Sequence, residues 1–319
     1  MPTERAAFTL SLDVELAWGS WRRGSFSMDT FAGDSQMSRR LDARCRELRL
    51  PATWAIVAAT FDLDKDELEA MPPETSVAAL RPSLGPYDDA LPTVGRVLAA
   101  PDAFLDPELV HELSSSPAGH ELGTHTYFHA NAAVPSVLVA DVNACRAATP
   151  SGSPVRTIVF PRDAVRHVSA LPAAQIDQYR APGAARYFQG SGKPAGWGRV
   201  AHTIEQFVGR PAPLVELRPG NPVAVPSSGV LTLRYGIRRR IPIRSVRRRY
   251  LRPLDHAVRT GGVYHLYTHP WNLALAGSDA FELLGDVLDR AAELRDRGDI
   301  EVLTIGGLAA RVRRGATVS

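Results

Sequence analysis

Residues 7–19, "AFTLSLDVELAWG", decide the fold and pose the chemical question. Phe8, Leu10 and Leu12 alternate with Thr9 and Ser11, the period of a strand with one apolar face. Two carboxylates follow, Asp13 and Glu15, two residues apart and so on the same side of that strand, with Trp18 close behind. Outward from this stretch, short apolar runs alternate with helical patterns. Leu41, Cys45 and Leu48 give residues 31–50 a helical spacing that Pro51 stops, and "ATWAIVAA" (52–59) predicts the next buried strand. A helix over 106–116, capped by Asp106 with Pro107 at its first position, leads to a strand over 119–126. Helix 134–148, strand 155–160, a helix over 163–176 and a short strand at "IDQYRAP" (176–182) come next. The chain closes with a strand over 261–271, a helix over 278–297 and a strand over 300–305.

Seven or eight β–α pairs predict an α/β fold, a parallel sheet curled into a (β/α) barrel whose chemistry lies at the C-terminal ends of the strands. Asp13, His125, Arg162 and His269 all fall at such ends. The 319 residues make a single domain, with loop-rich insertions near 62–104 and 184–228, the first placed to cover a site. Hydrophobic content of 45% and charged content of 22% are those of a globular protein. A net charge of +3 is too small to imply a nucleic-acid partner. The two cysteines, Cys45 and Cys145, show no CxxC or zinc-knuckle spacing and read as buried thiols in a reducing compartment. The N-terminal residues lack a secretory pattern and no apolar run reaches the roughly 20 residues of a membrane span, so the expected location is the cytoplasm. Residues 234–250 hold eight arginines and predict a solvated helix, docking to anionic lipid, polyphosphate or a nucleotide-linked sugar being the other reading.

"HTYFH" places His125 and His129 four apart, within reach of one ion if a helical turn follows the strand. Two histidines and a carboxylate are a common set for a catalytic divalent metal, so one of Asp13 and Glu15 can bind the ion while the other takes a proton from water. His269, at the strand end before Pro270, is the candidate general acid, whereas His265 reads as a packed mid-strand histidine. Arg162 can orient a catalytic carboxylate or bind an anionic group, with a surface pair to Asp163 as the plainer reading. Trp18, Trp21, Trp197 and Trp271 are candidates to stack on sugar rings.

In this order, "SLDVE", "HTYFH", "FPRD" and "HLYTHPWNL" resemble the motifs of the polysaccharide deacetylase superfamily, also called the NodB-homology domain or carbohydrate esterase family four. The resemblance runs from about residue 7 to 308, and "LPATWAIVAA" is similar to the strand before the second motif. It implies a distorted barrel and a metal-dependent N-deacetylation. Carried over residue by residue, Glu15, His125 and His129 would hold the metal, Asp13 would be the base, Arg162 its orienting arginine and His269 the acid. The sequence departs from the family in two places. Motif one reads Asp-Val-Glu where adjacent aspartates are usual, which leaves open a swap between Asp13 and Glu15. "RDAVR" lacks the Pro and aromatic of the third motif, and "YRAPG" (179–183) offers Arg180 instead, ranked second because it lies one strand end further along, and otherwise expected, with Trp18 and Trp271, to bind substrate.

The expected function is a divalent-metal-dependent N-deacetylase of an amino sugar, borne on a nucleotide-linked or lipid-linked glycan. The default ion is Zn2+, with Co2+, Ni2+ or Fe2+ acceptable to the same donors. Two other readings stay open, a metal-free amidase of the same fold acting on a non-sugar amide and a catalytically inactive glycan-binding protein. The sequence leaves the oligomeric state open.

Overall fold

A computed structural model describes residues 5–22, 27–150, 153–183, 211–231 and 240–315. Strands β1 (Ala6–Val14), β2 (Thr53–Ile56), β3 (Glu121–Thr124), β4 (Thr157–Val159) and β5 (Gln178–Ala181) lie side by side in chain order, every pair parallel. On its other side β1 pairs with β8 (Val263–Thr268) and, at its start, with β9 (Ile300–Val302). β6 (Val223–Pro226) pairs with β5, and β7 (Gly229–Val230) pairs with β8. Only Ser227 and Ser228 separate β6 from β7. One stretch, 223–230, thus serves as a split stave, its first half on β5 and its second half on β8, and the strand path returns on itself as a distorted barrel. Sequence pattern missed this stave because neither half is long enough to show alternation.

β1 explains itself once the barrel is drawn. Phe8, Leu10, Leu12 and Val14 join the apolar cluster of Met37, Leu41, Leu254 and Leu284 on the surrounding helices. The helices in question are α1 (Met28–Leu48), α3 (Ile243–Thr260) and α5 (Ser278–Asp296). Thr9, Ser11 and Asp13 take the opposite face, towards the lumen, and all three are buried. Because all strands run the same way, their C-terminal ends form one rim.

Helix α2 (Pro135–Ala148) lies between β3 and β4, α4 (Pro270–Ala276) follows β8 and α6 (Ile305–Arg313) follows β9. The helix expected over 163–176 is instead two 3-10 turns, Pro161–Asp163 and Val168–Ala170. Arg162, Asp163 and His167 have positive φ, which an α-helix cannot absorb. The excursion over 62–104 packs behind the rim loops: Ala17 N–H donates to Ala103 O and the Trp18 indole to Phe104 O, each at 2.8 Å. Of the arginine-rich segment, residues 234–239 lie outside the described residues, and Arg244, Arg247 and Arg248 stand exposed along α3. Both cysteines are buried and free. No helix among the described residues is long and apolar enough to cross a membrane.

Candidate metal centre

Each turn that carries a candidate metal ligand starts where a strand ends. Glu15 follows β1 directly, and the next residue, Leu16, turns the chain with φ 41°. His125 follows β3, and the turn after it contains Thr126 at φ 67° and His129 at φ 56°. Ala130 N–H closes that turn on the Thr126 hydroxyl at 3.1 Å. The turn also lies on the end of β2, Ala58 and Ala59 donating to Thr126 O and Tyr127 O at 3.2 and 2.8 Å.

Together these turns gather Glu15, His125 and His129, all buried, with one donor atom of each within 4.8 Å of the others. The His125 Nδ1–H donates to Val159 O at 2.8 Å, which fixes the tautomer and leaves Nε2 buried and, among the described residues, without a partner. His129 Nε2–H donates to Glu15 Oε2 at 2.8 Å, and its Nδ1 is likewise buried and unpartnered. The other Glu15 oxygen accepts from the Trp271 indole N–H at 3.0 Å. Gly19 leaves the room that the carboxylate fills, since a Cβ there would lie 1.4 Å from Glu15 Oε2. Two imidazoles and a boxed carboxylate that each bring one ligand atom within 4.8 Å of the others, with His125 Nε2 left unbonded, are a donor set that fits a divalent first-row cation.

Asp13 lies beside this set. Arg180, from β5, grips it with a two-pronged ion pair, Nη1 to Oδ1 at 2.5 Å and Nη2 to Oδ2 at 2.6 Å. The same guanidinium donates to Asp163 Oδ1 at 3.1 Å and lies over the Tyr267 ring at 4.1 Å. Beneath it, Ser11 Oγ accepts from Arg180 Nη1 at 3.4 Å. His265 Nδ1–H donates to Pro226 O at 2.8 Å, so its Nε2 accepts from the Ser11 hydroxyl at 2.9 Å. His265 is therefore a wholly buried peg between the split stave and the Asp13–Arg180 pair, and burial, with Arg180 nearby, lowers its pKa to about 4.

Burial alone would raise the Asp13 carboxyl, but the Arg180 charge, with His269 and His125 behind it, holds it below the usual carboxylate range. Glu15 is depressed for the same kind of reason, burial being outweighed by His129 and His269. Burial, then His129, pushes His125 down to about 4 and keeps it neutral, the form that ligates a metal. His269, which follows β8 and precedes α4, presents Nε2 to both acids, 3.2 Å from Glu15 Oε1 and 3.6 Å from Asp13 Oδ2. Asn272 Nδ2 lies 3.4 Å from its Nδ1.

Three expectations need correction. Arg162 does not reach Asp13: its side chain is 41% exposed and pairs with Asp89, because its left-handed backbone turns it away from the lumen. Arg180 takes that place, since the β4–β5 register sets it opposite Val159 with its side chain inward. Trp18 and Trp271 are buried, their indole N–H groups committed to Phe104 O and Glu15, so neither offers a face to a sugar ring. Trp197 lies outside the described residues. Asp163 and Tyr267 complete the surroundings of Arg180, and sequence reading assigned neither to the site.

Among solved structures, a candidate polysaccharide deacetylase from Mycobacterium smegmatis superposes with a TM-score of 0.60, covering 100% of this chain and 94% of its own, at 13% identity. The chain has the polysaccharide deacetylase fold. An α-amylase, AmyC from Thermotoga maritima, also superposes, with a TM-score of 0.51 at 9% identity, covering 96% of this chain and 74% of its own. One architecture therefore carries different named activities, and the reaction has to be argued from the site. No family model and no curated protein sequence matches the chain.

Proposed function

We propose that this chain is a divalent-metal-dependent N-deacetylase, a hydrolase of non-peptide carbon–nitrogen bonds acting on an N-acetylated amino sugar. One observation carries the reading: Glu15, His125 and His129 converge at the rim, with Asp13 held by Arg180 beside them and His269 facing both acids. Glu15, His125 and His129 would hold the ion, zinc by default and cobalt, nickel or iron with the same donors. When bound, it lowers the pKa of water and polarises a carbonyl oxygen.

Asp13, kept ionised by Arg180, accepts the proton that water gives up as its oxygen bonds to the amide carbon. His269 Nε2 delivers a proton to the amide nitrogen as the carbon–nitrogen bond breaks, which lets the amine leave. Arg180 and Ser11 hold Asp13 in place through this exchange. Acetate and a free amino sugar result. The acetylated sugar is a nucleotide-linked or lipid-linked intermediate, and the setting is the cytoplasm, where two buried free thiols would persist.

The test is acetate release from a panel of N-acetylated sugar nucleotides and N-acetylated oligosaccharides, before and after chelation and zinc restoration. Acetate release that chelation stops and zinc restores supports the proposal. Turnover indifferent to chelation, in protein shown to be metal-free, would replace it with a metal-free amidase.

A further inference from the structure

Two buried acids stand behind the ligand set and have no part in the chemistry above. Asp34, in α1, accepts Leu16 N–H at 3.0 Å and the Ser38 hydroxyl at 3.3 Å. Asp141, in α2, accepts Tyr127 N–H through both oxygens, at 3.0 and 3.2 Å, and the Tyr87 hydroxyl at 2.7 Å. Both are almost wholly excluded from solvent, and among the described residues neither makes an ion pair.

Their placements correspond. Leu16 is the residue after Glu15 and has φ 41°, while Tyr127 is the residue after Thr126, whose φ is 67°, midway between His125 and His129. A non-glycine residue keeps such a backbone only where its surroundings fix it. In each turn one buried backbone N–H, at or next to the left-handed residue, is fixed by a carboxyl group reaching in from a neighbouring helix. A carboxyl oxygen accepts that bond in either protonation state, so the clamp does not depend on charge. A buried acid inside a helix is otherwise a costly choice.

We propose that Asp34 and Asp141 are positioning residues that lock the two ligand-bearing turns, and thereby set the affinity of Glu15, His125 and His129 for a divalent cation. The inference rests on the metal-centre reading proposed above. It adds to it a division of labour, in which the rim residues supply the donors and two helix acids supply their geometry. Partners of this kind typically change metal affinity by about 10–100-fold.

The experiment is a Co2+ titration of the full chain, read by the visible absorption of the bound ion, for wild type and four variants. Asp34→Leu and Asp141→Leu remove the acceptor, whereas Asp34→Asn and Asp141→Asn keep a carbonyl oxygen in the same place. The leucine variants are expected to bind Co2+ about 10–100-fold more weakly, with the asparagine variants restoring most of the affinity. Far-ultraviolet circular dichroism of the metal-free proteins reports folding separately. If a leucine variant does not fold, Ser38→Ala and Tyr87→Phe loosen each clamp without touching the acid and should weaken binding by a smaller factor. Folded leucine variants that bind Co2+ as tightly as wild type overturn the proposal, as do asparagine variants as weak as the leucines. A wild-type chain that binds no Co2+ overturns the metal centre itself and the inference with it.

Discussion

Gly19→Ala separates the metal centre from the fold. An alanine Cβ at this position would lie 1.4 Å from Glu15 Oε2, 2.4 Å from Glu15 Cδ and 2.9 Å from His129 Cε1. Side-chain contacts closer than 3.0 Å do not persist, so Oε2 must retreat by about 1.6 Å. Metal–ligand distances tolerate about 0.2 Å, so a displaced Glu15 no longer belongs to the donor set. The atoms that give way are the end of a side chain rather than backbone, and Gly19 has no positive φ that an alanine would strain. The stability cost is then mainly the two Glu15 hydrogen bonds, to Trp271 and His129, about 1–3 kcal/mol against a typical domain stability of about 5–15 kcal/mol. The chain should stay folded while metal affinity, measured by competition with a chelating dye, falls by more than about 100-fold. A folded Gly19→Ala protein with wild-type affinity would refute the placement of Glu15 in the donor set.

Arg180→Met should destabilise the protein by about 3–5 kcal/mol in urea unfolding, because it strands a buried Asp13 carboxylate, whereas Arg162→Met should cost under about 1 kcal/mol; the reverse order would restore Arg162 as the partner of Asp13. His265, neutral when folded with a pKa of about 4 against 6.5 for its ordinary value, takes up a proton more readily when unfolded. Stability should therefore fall as pH drops from about 6.5 to about 4, with a contribution from this group of at most about 1.4 kcal/mol per pH unit that His265→Gln removes. Unchanged pH dependence of unfolding in that variant would contradict the buried neutral peg. Gly285, inside α5 with open space where a Cβ would go, should gain about 0.8–1 kcal/mol as alanine, read as a raised thermal midpoint.

The alternation in residues 7–13 shows which face of β1 packs outward, and the two acids two residues apart then have to meet at the rim. The spacing shows the His125 and His129 pair, although the turn that joins them is not helical and has positive φ at Thr126 and His129. The arginine was the harder reading. Whether Arg162 or Arg180 faces Asp13 depends on the backbone after β4, where positive φ values at Arg162 and Asp163 break the expected helix, and no local pattern announces them. The "YRAPG" motif was the available signal, and the register of β5 makes it the structural one. Trp18 and Trp271 show the opposite limit, since adjacency to site residues says nothing of where an indole points. Asp34 left a trace in the sequence of α1, an acid on the buried stripe of Phe31, Met37, Leu41 and Cys45, which a solvated helix face would not place there.

The central claim is that Glu15, His125 and His129 form a metal centre, and elemental analysis of the purified chain beside His125→Ala tests it most directly. The account predicts about one equivalent of zinc or another first-row ion per wild-type chain after reconstitution, and its loss from a variant that remains folded. No bound metal in the reconstituted wild type, or equal metal in both proteins, would contradict it.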